Sequence, residues 1–170
     1  MTDETATLEA RGARDWRQPA KNPPLEDVFR RRLVEKTYQC QVVGRPPKNS
    51  GHIENFLFKD AKSAKVFVCE KPEKGALLAV TDYELVKAEG PTSLLRVRIY
   101  TGRTHQIRVH MAYLGCPVLG DDKYGDRDAN RRLGAKRLCL CACRLRFPAL
   151  PAPLEGLSGA AFEIEPTFDR

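Results

Sequence analysis

Thr101–Asp126 reads T-G-R-T-H-Q-I-R-V-H-M-A-Y-L-G-C-P-V-L-G-D-D-K-Y-G-D. Thr101-Gly102-Arg103 makes a turn, and Thr104 stands where a hydroxyl can accept an orphan backbone N–H, so a helix is predicted from about His105 to Leu114. Ile107, Met111 and Leu114 form one apolar stripe along it. Gly115 suits the left-handed position after the helix, and Pro117 prevents continuation. Two arginines, two histidines and a glutamine crowd the first ten residues of the stretch. A helix N-terminus favours an anion, and Arg103 in the turn adds a forked donor for phosphate or carboxylate. Arg108, one turn in, suits a buried carboxylate. The plainer reading is that these residues cap and solvate an ordinary helix.

Outward from this stretch the elements are short. Leu25–Leu33 has apolar residues at 25, 28, 29 and 33, a helical spacing. Strands are predicted at 36–43, 65–69, 77–87, 93–100 and 138–147, with a breaker-rich loop over Gly44–Gly51. In 93–100, Leu95, Val97 and Ile99 alternate with Arg96 and Arg98, the pattern of a half-buried strand with a basic outer face. Several strands with few helices make α+β the expected class. Residues 1–24 read as a flexible arm and 25–170 as one domain.

The chain carries a formal charge of +7, unevenly spread: Arg96–Arg146 holds 12 Lys and Arg against 4 Asp and Glu. Such a basic half suits a polyanion such as RNA, DNA or acidic lipid, the alternative being a solvated face. No apolar run reaches the roughly 18 residues of a membrane span, and the acidic, polar start lacks a signal-peptide core. The expected compartment is the cytoplasm, with the six cysteines reduced. Cys139, Cys141 and Cys143 share a strand face with Leu145 and Phe147, which reads as core and not as a zinc site. The acidic cluster Asp121, Asp122, Asp126 and Asp128 fails as a calcium loop, because Arg131 and Arg137 stand where Gly and Glu are required. No metal is expected; Gly120-Asp121 and Tyr124-Gly125 read instead as loop structure shaping a site.

T-G-R-T-H-Q-I-R-V-H followed by L-G-x-P-V-L-G-D-x-x-Y-G resembles the signature of the RluA-type RNA pseudouridine synthases. Val34–Tyr38, Gly51–Leu57 with Lys59-Asp60, Leu138–Phe147 and Pro166–Phe168 resemble further segments of that family, so the likeness spans roughly 25–168. The resemblance implies a mixed, mainly antiparallel sheet with flanking helices around a cleft. It also implies isomerisation of uridine in rRNA or tRNA, with no metal or organic cofactor. In that reaction the N-glycosidic bond breaks and the base rejoins through carbon. Matched motif to motif, Tyr38 is the family's base-stacking tyrosine and Arg108 the arginine that pairs with the nucleophilic aspartate. Arg103, Thr104, His105, Gln106, His110 and Lys36 are the implied RNA contacts.

One departure matters chemically. The family's H-R-L-D-x-x-T-S-G segment, which carries the aspartate, has no counterpart here; Asp3, Asp15 and Asp27 precede Tyr38 without its surroundings. The expectation is a fold lacking its N-terminal part, inactive alone. A partner chain can supply the nucleophile in a split enzyme; the alternative is a non-catalytic RNA-binding remnant.

Overall fold

A computed structural model describes residues 24–168, so the expected arm lies outside the described residues except for Pro24. The chain divides into two compact units. The smaller runs through Glu35 and resumes at Arg144–Glu163; the larger is Lys36–Cys143 and resumes at Ile164.

The larger unit is built on β1 (Glu35–Val43) from Lys36 onward, β2 (Ser50–Asp60), β3 (Lys65–Cys69), β4 (Ala76–Glu89), β5 (Thr92–Ile99) and the first part, through Cys143, of β6 (Leu140–Arg146). They lie in the order β3-β2-β4-β5-β1-β6. The β1–β5, β2–β3, β2–β4 and β4–β5 ladders are all antiparallel, which gives the α+β architecture with short connections. The alternation read in the sequence sets the faces: Leu95 and Val97 are fully buried while Arg96 and Arg98 are exposed. Register aligns Tyr38 and Tyr83 with Val97, and Cys40 and Leu85 with Leu95, stacking one apolar face across three strands. Onto that face pack Ile107 and Met111 of α2 (Gln106–Tyr113; α1 is Leu25–Arg30), together with Cys116 and Val118. Each such fully buried aliphatic side chain contributes about 1.5–3 kcal/mol. Gly51 lies opposite Tyr83 because the tyrosine ring occupies its side-chain space; a Cβ there would sit 2.5 Å from the ring.

Two elements of the larger unit differ from expectation. Strand β2 was not anticipated beyond the loop, because its inward positions are Ile53, Asn55 and Leu57, and the asparagine interrupts the apolar alternation. Helix α3 (Arg127–Arg132) buries only Ala129, so no apolar stripe announces it; it starts where Asp126 accepts N–H bonds from Asp128 and Ala129.

In the smaller unit α1 ends at Arg30, short of the expected Leu33. Arg32 takes a left-handed φ of 57°, and bonds from Arg32 N–H to Phe29 O and Leu33 N–H to Val28 O close a Schellman cap with arginine at the usual glycine position. Val28, Val34, Phe147 and Leu150 form its core, with Phe29 edge-on to Phe147 at 5.9 Å. The end of β6 pairs with β7 (Ala161–Glu163).

Candidate functional site

The turn before α2 is built by one side chain. Gln106, buried, accepts through Oε1 from the Thr101 hydroxyl (2.7 Å) and the Arg103 N–H (3.0 Å). Its amide nitrogen donates to Val80 O and to Thr81 Oγ1, both at 2.9 Å, tying the turn to β4. Arg103 Nε donates to Leu78 O at 2.7 Å, so this arginine is anchored on the sheet while remaining half-exposed. The expected cap at Thr104 is not made: Thr104 is exposed, α2 starts at Gln106, and its N-cap is His105 with φ 54° and no side-chain cap bond. A left-handed histidine costs conformational energy, which the Gln106 bonds on either side offset.

His110 was expected to touch RNA, and here the structure corrects the sequence. It is fully buried, with Nδ1 2.8 Å from Thr81 Oγ1 and Nε2 2.9 Å from Asn55 Oδ1. Thr81 accepts from Gln106, so its own proton is available to Nδ1, and Nε2–H donates to Asn55. Burial pushes the His110 imidazole down to about 4, keeping it neutral. Gln106, likewise 3% exposed, is corrected in the same way: both are interior struts.

Arg108 carries the charge chemistry. Its Nε and Nη2 donate to Oδ2 and Oδ1 of Asp121, each at 2.7 Å, a two-pronged pair; Nη2 also reaches Asp122 at 3.0 Å. The expected buried carboxylate is therefore supplied by this chain, 13 residues on. Asp121 is fully buried and also accepts the N–H groups of Lys123 and Tyr124 at 2.9 Å. Burial alone raises its pKa, but the Arg108 bonds, these N–H bonds and the guanidinium charge outweigh it and hold the carboxyl below its usual range. Asn130 of α3 clamps the loop, accepting from Gly120 N–H and donating to Asp121 O. Gly120 has φ 76°, and a Cβ there would lie 1.8 Å from Arg137 O.

Tyr124 gathers the remaining groups. Its hydroxyl oxygen accepts from Val66 N–H of β3 at 2.9 Å and lies 2.9 Å from His105 Nδ1, while the Arg108 guanidinium sits 5.2 Å from its ring centre. Desolvation first, then the Arg108 and Lys123 charges, push His105 below its ordinary pKa. Tyr38, half-buried on β1, packs against the cluster that holds Ile107 and Met111, and burial raises its phenol. Lys36 is half-buried on the same strand. Sequence reading placed Asp121 and Tyr124 in a loop shaping the site, on the G-D-x-x-Y-G spacing, without assigning their partners, and it missed Thr81 and Asn55.

Residues 24–113 match the family described as RNA pseudouridylate synthase. An uncharacterized RNA pseudouridine synthase of Chlorobaculum parvum is 44% identical over 112 residues, covering 62% of this chain and 34% of that protein. Ribosomal large subunit pseudouridine synthase C of Rickettsia felis is 39% identical over 108 residues, covering 63% and 35%. The chain thus spans about a third of the length of these relatives. The solved structure of Human RNA Pseudouridylate Synthase Domain Containing 1 superposes with a TM-score of 0.64 at 26% identity, over 84% of this chain and 58% of that one. With just over half of its 170 residues matched, the chain belongs to the RluA-type RNA pseudouridine synthase family.

Proposed function

We propose that this chain forms the substrate-gripping portion of a pseudouridine synthase acting on uridine in rRNA or tRNA, and that the carboxylate nucleophile comes from a segment outside these 170 residues. The observation that carries the reading is the Arg108–Asp121 pair. A buried carboxylate already fixes the guanidinium by two bonds, so the arginine of the matched motif is held in one orientation before substrate arrives. Among the described residues its Nη1 bonds to none, which leaves one edge of the cation for a second carboxylate. A guanidinium beside that carboxylate keeps it ionised and nucleophilic. Tyr38, with its ring half-covered by the core, offers an aromatic face to a uracil taken out of its stack. His105 and Arg103, at the half-exposed turn, contact the RNA backbone, and Lys36 adds charge from β1.

The test is complementation. The chain is mixed with a separately expressed segment carrying the H-R-L-D-type motif and with uridine-containing RNA, and pseudouridine is counted. The chain alone binds RNA without turnover; the mixture turns over, and Arg108→Ala or Tyr38→Ala lowers that rate at least a hundredfold, about 3 kcal/mol. Variants as active as the unaltered mixture would sink the site assignment. Turnover by the chain alone would sink the missing nucleophile.

A further inference from the structure

We propose that Tyr124 is a positioning residue that locks His105 as a neutral imidazole protonated on Nε2, a hydrogen-bond donor to RNA and not a cation. The recipient rests on the function proposed above; the lock rests on geometry alone. A backbone amide has one proton and one direction, so Val66 N–H must donate to the Tyr124 oxygen, at 2.9 Å. The phenol proton is then free for the other near neighbour, His105 Nδ1, also at 2.9 Å. Accepting there leaves the imidazole's single proton on Nε2. The guanidinium of Arg108 over the same ring, at 5.2 Å, draws electron density from the phenol and strengthens its donation. The edge-on contact of the two rings, with centroids 5.6 Å apart, fixes the plane in which the donor lies.

The charged groups around His105 favour the same state. Arg108 on α2, Lys123 in the loop and Lys59 on β2 oppose a second proton, and Asp121, already engaged by Arg108, is the opposing charge. The backbone bears a cost here: His105 holds φ 54° at a position where glycine or asparagine is the unstrained choice. A neutral donor reads an oxygen acceptor by geometry, where a lysine or arginine would bind any phosphate.

Three histidines make the test tractable. Long-range proton–nitrogen correlation on the 170-residue chain near pH 7 reads the tautomer of each ring. His105 is expected on Nε2–H, with Nδ1 shifted as an acceptor, and binding of a fluorescein-labelled, uridine-containing RNA hairpin is flat between about pH 6 and pH 8. Tyr124→Phe keeps the ring and removes the hydroxyl. It is expected to mix the tautomers, weaken the hairpin about fivefold near pH 8, and make binding tighten as pH falls and His105 gains its proton. An Nδ1–H or doubly protonated His105 in the unaltered chain overturns the lock, and this reading stands even where the variant fails to fold. A variant with unchanged tautomer and pH profile overturns it too. Absence of hairpin binding with the Nε2–H tautomer in place overturns RNA as the recipient and leaves the lock.

Discussion

The two sides of α2 solve the same problem in opposite ways. On one side Gln106 and His110 are buried and uncharged, bonded to backbone and to the neutral groups of Thr81, Thr101 and Asn55. On the other, Arg108 and the adjoining His105 are part-exposed and held by a carboxylate and a phenol. All four come from one ten-residue motif dense in donors. A polar cluster in sequence therefore mixes interior struts with part-exposed side chains, and burial separates them: the Thr81 and Thr101 hydroxyls meet the buried Gln106, while the Tyr124 hydroxyl meets the part-exposed His105.

The largest way to break this contrast is Asp121→Ala. Removing one partner of a buried pair leaves Arg108 half-buried and two N–H groups without their acceptor, and a loss of about 3 kcal/mol is expected in denaturant unfolding. A loss under about 1 kcal/mol would mean that Asp122 substitutes for it.

Acid separates the two sides next. His110 titrates at about 4 in the fold against 6.5 ordinarily, so between those values the unfolded chain takes up a proton that the folded chain refuses. Stability then falls as pH drops through this window, by up to about 1.4 kcal/mol per pH unit, and is unaffected by this group above it. Asp121 acts in a different window. Its folded pKa is depressed, so its contribution is present above the ordinary carboxylate value near 4 and is lost only as pH falls below it. Unfolding midpoints against pH for the chain and for His110→Gln check this; an equal slope in both between pH 6 and pH 5 refutes the buried strut.

The smallest effect sharpens the boundary. Arg96 pairs with Glu84 at 3.2 Å on the exposed face of the sheet, with both side chains more than half exposed. Arg96→Ala is expected to change stability by less than about 0.5 kcal/mol, since solvent screens such a pair. A larger change in a thermal melt would give that face a structural role it does not otherwise have.

Much of this was legible in the chain, and the exceptions share a cause. The strand carrying Leu95 and Val97 declared itself by alternation, and Gly115 with Pro117 marked the end of α2. Asn55 hid β2 because its reason for being inward is His110, 55 residues away and on another element. Likewise Asp121 looked like a loop residue until the loop closed on Arg108. Pairing across distant elements leaves no local period, so burial of a polar group is visible only once its partner is in place. Thr104 failed for a different reason: a hydroxyl at the right spacing lost to Gln106, whose longer side chain already satisfies the turn.

The six thiols of the chain carry a practical consequence. Cys40, Cys116, Cys139 and Cys143 are interior, and burial pushes Cys116 up to about 11 and Cys40 up as well, whereas Cys69 and Cys141 are part-exposed. A maleimide offered to the folded chain meets those two first, because thiolate and access are both required. The other four become reactive only when the sheet opens, so their labelling rate is a built-in clock for global unfolding.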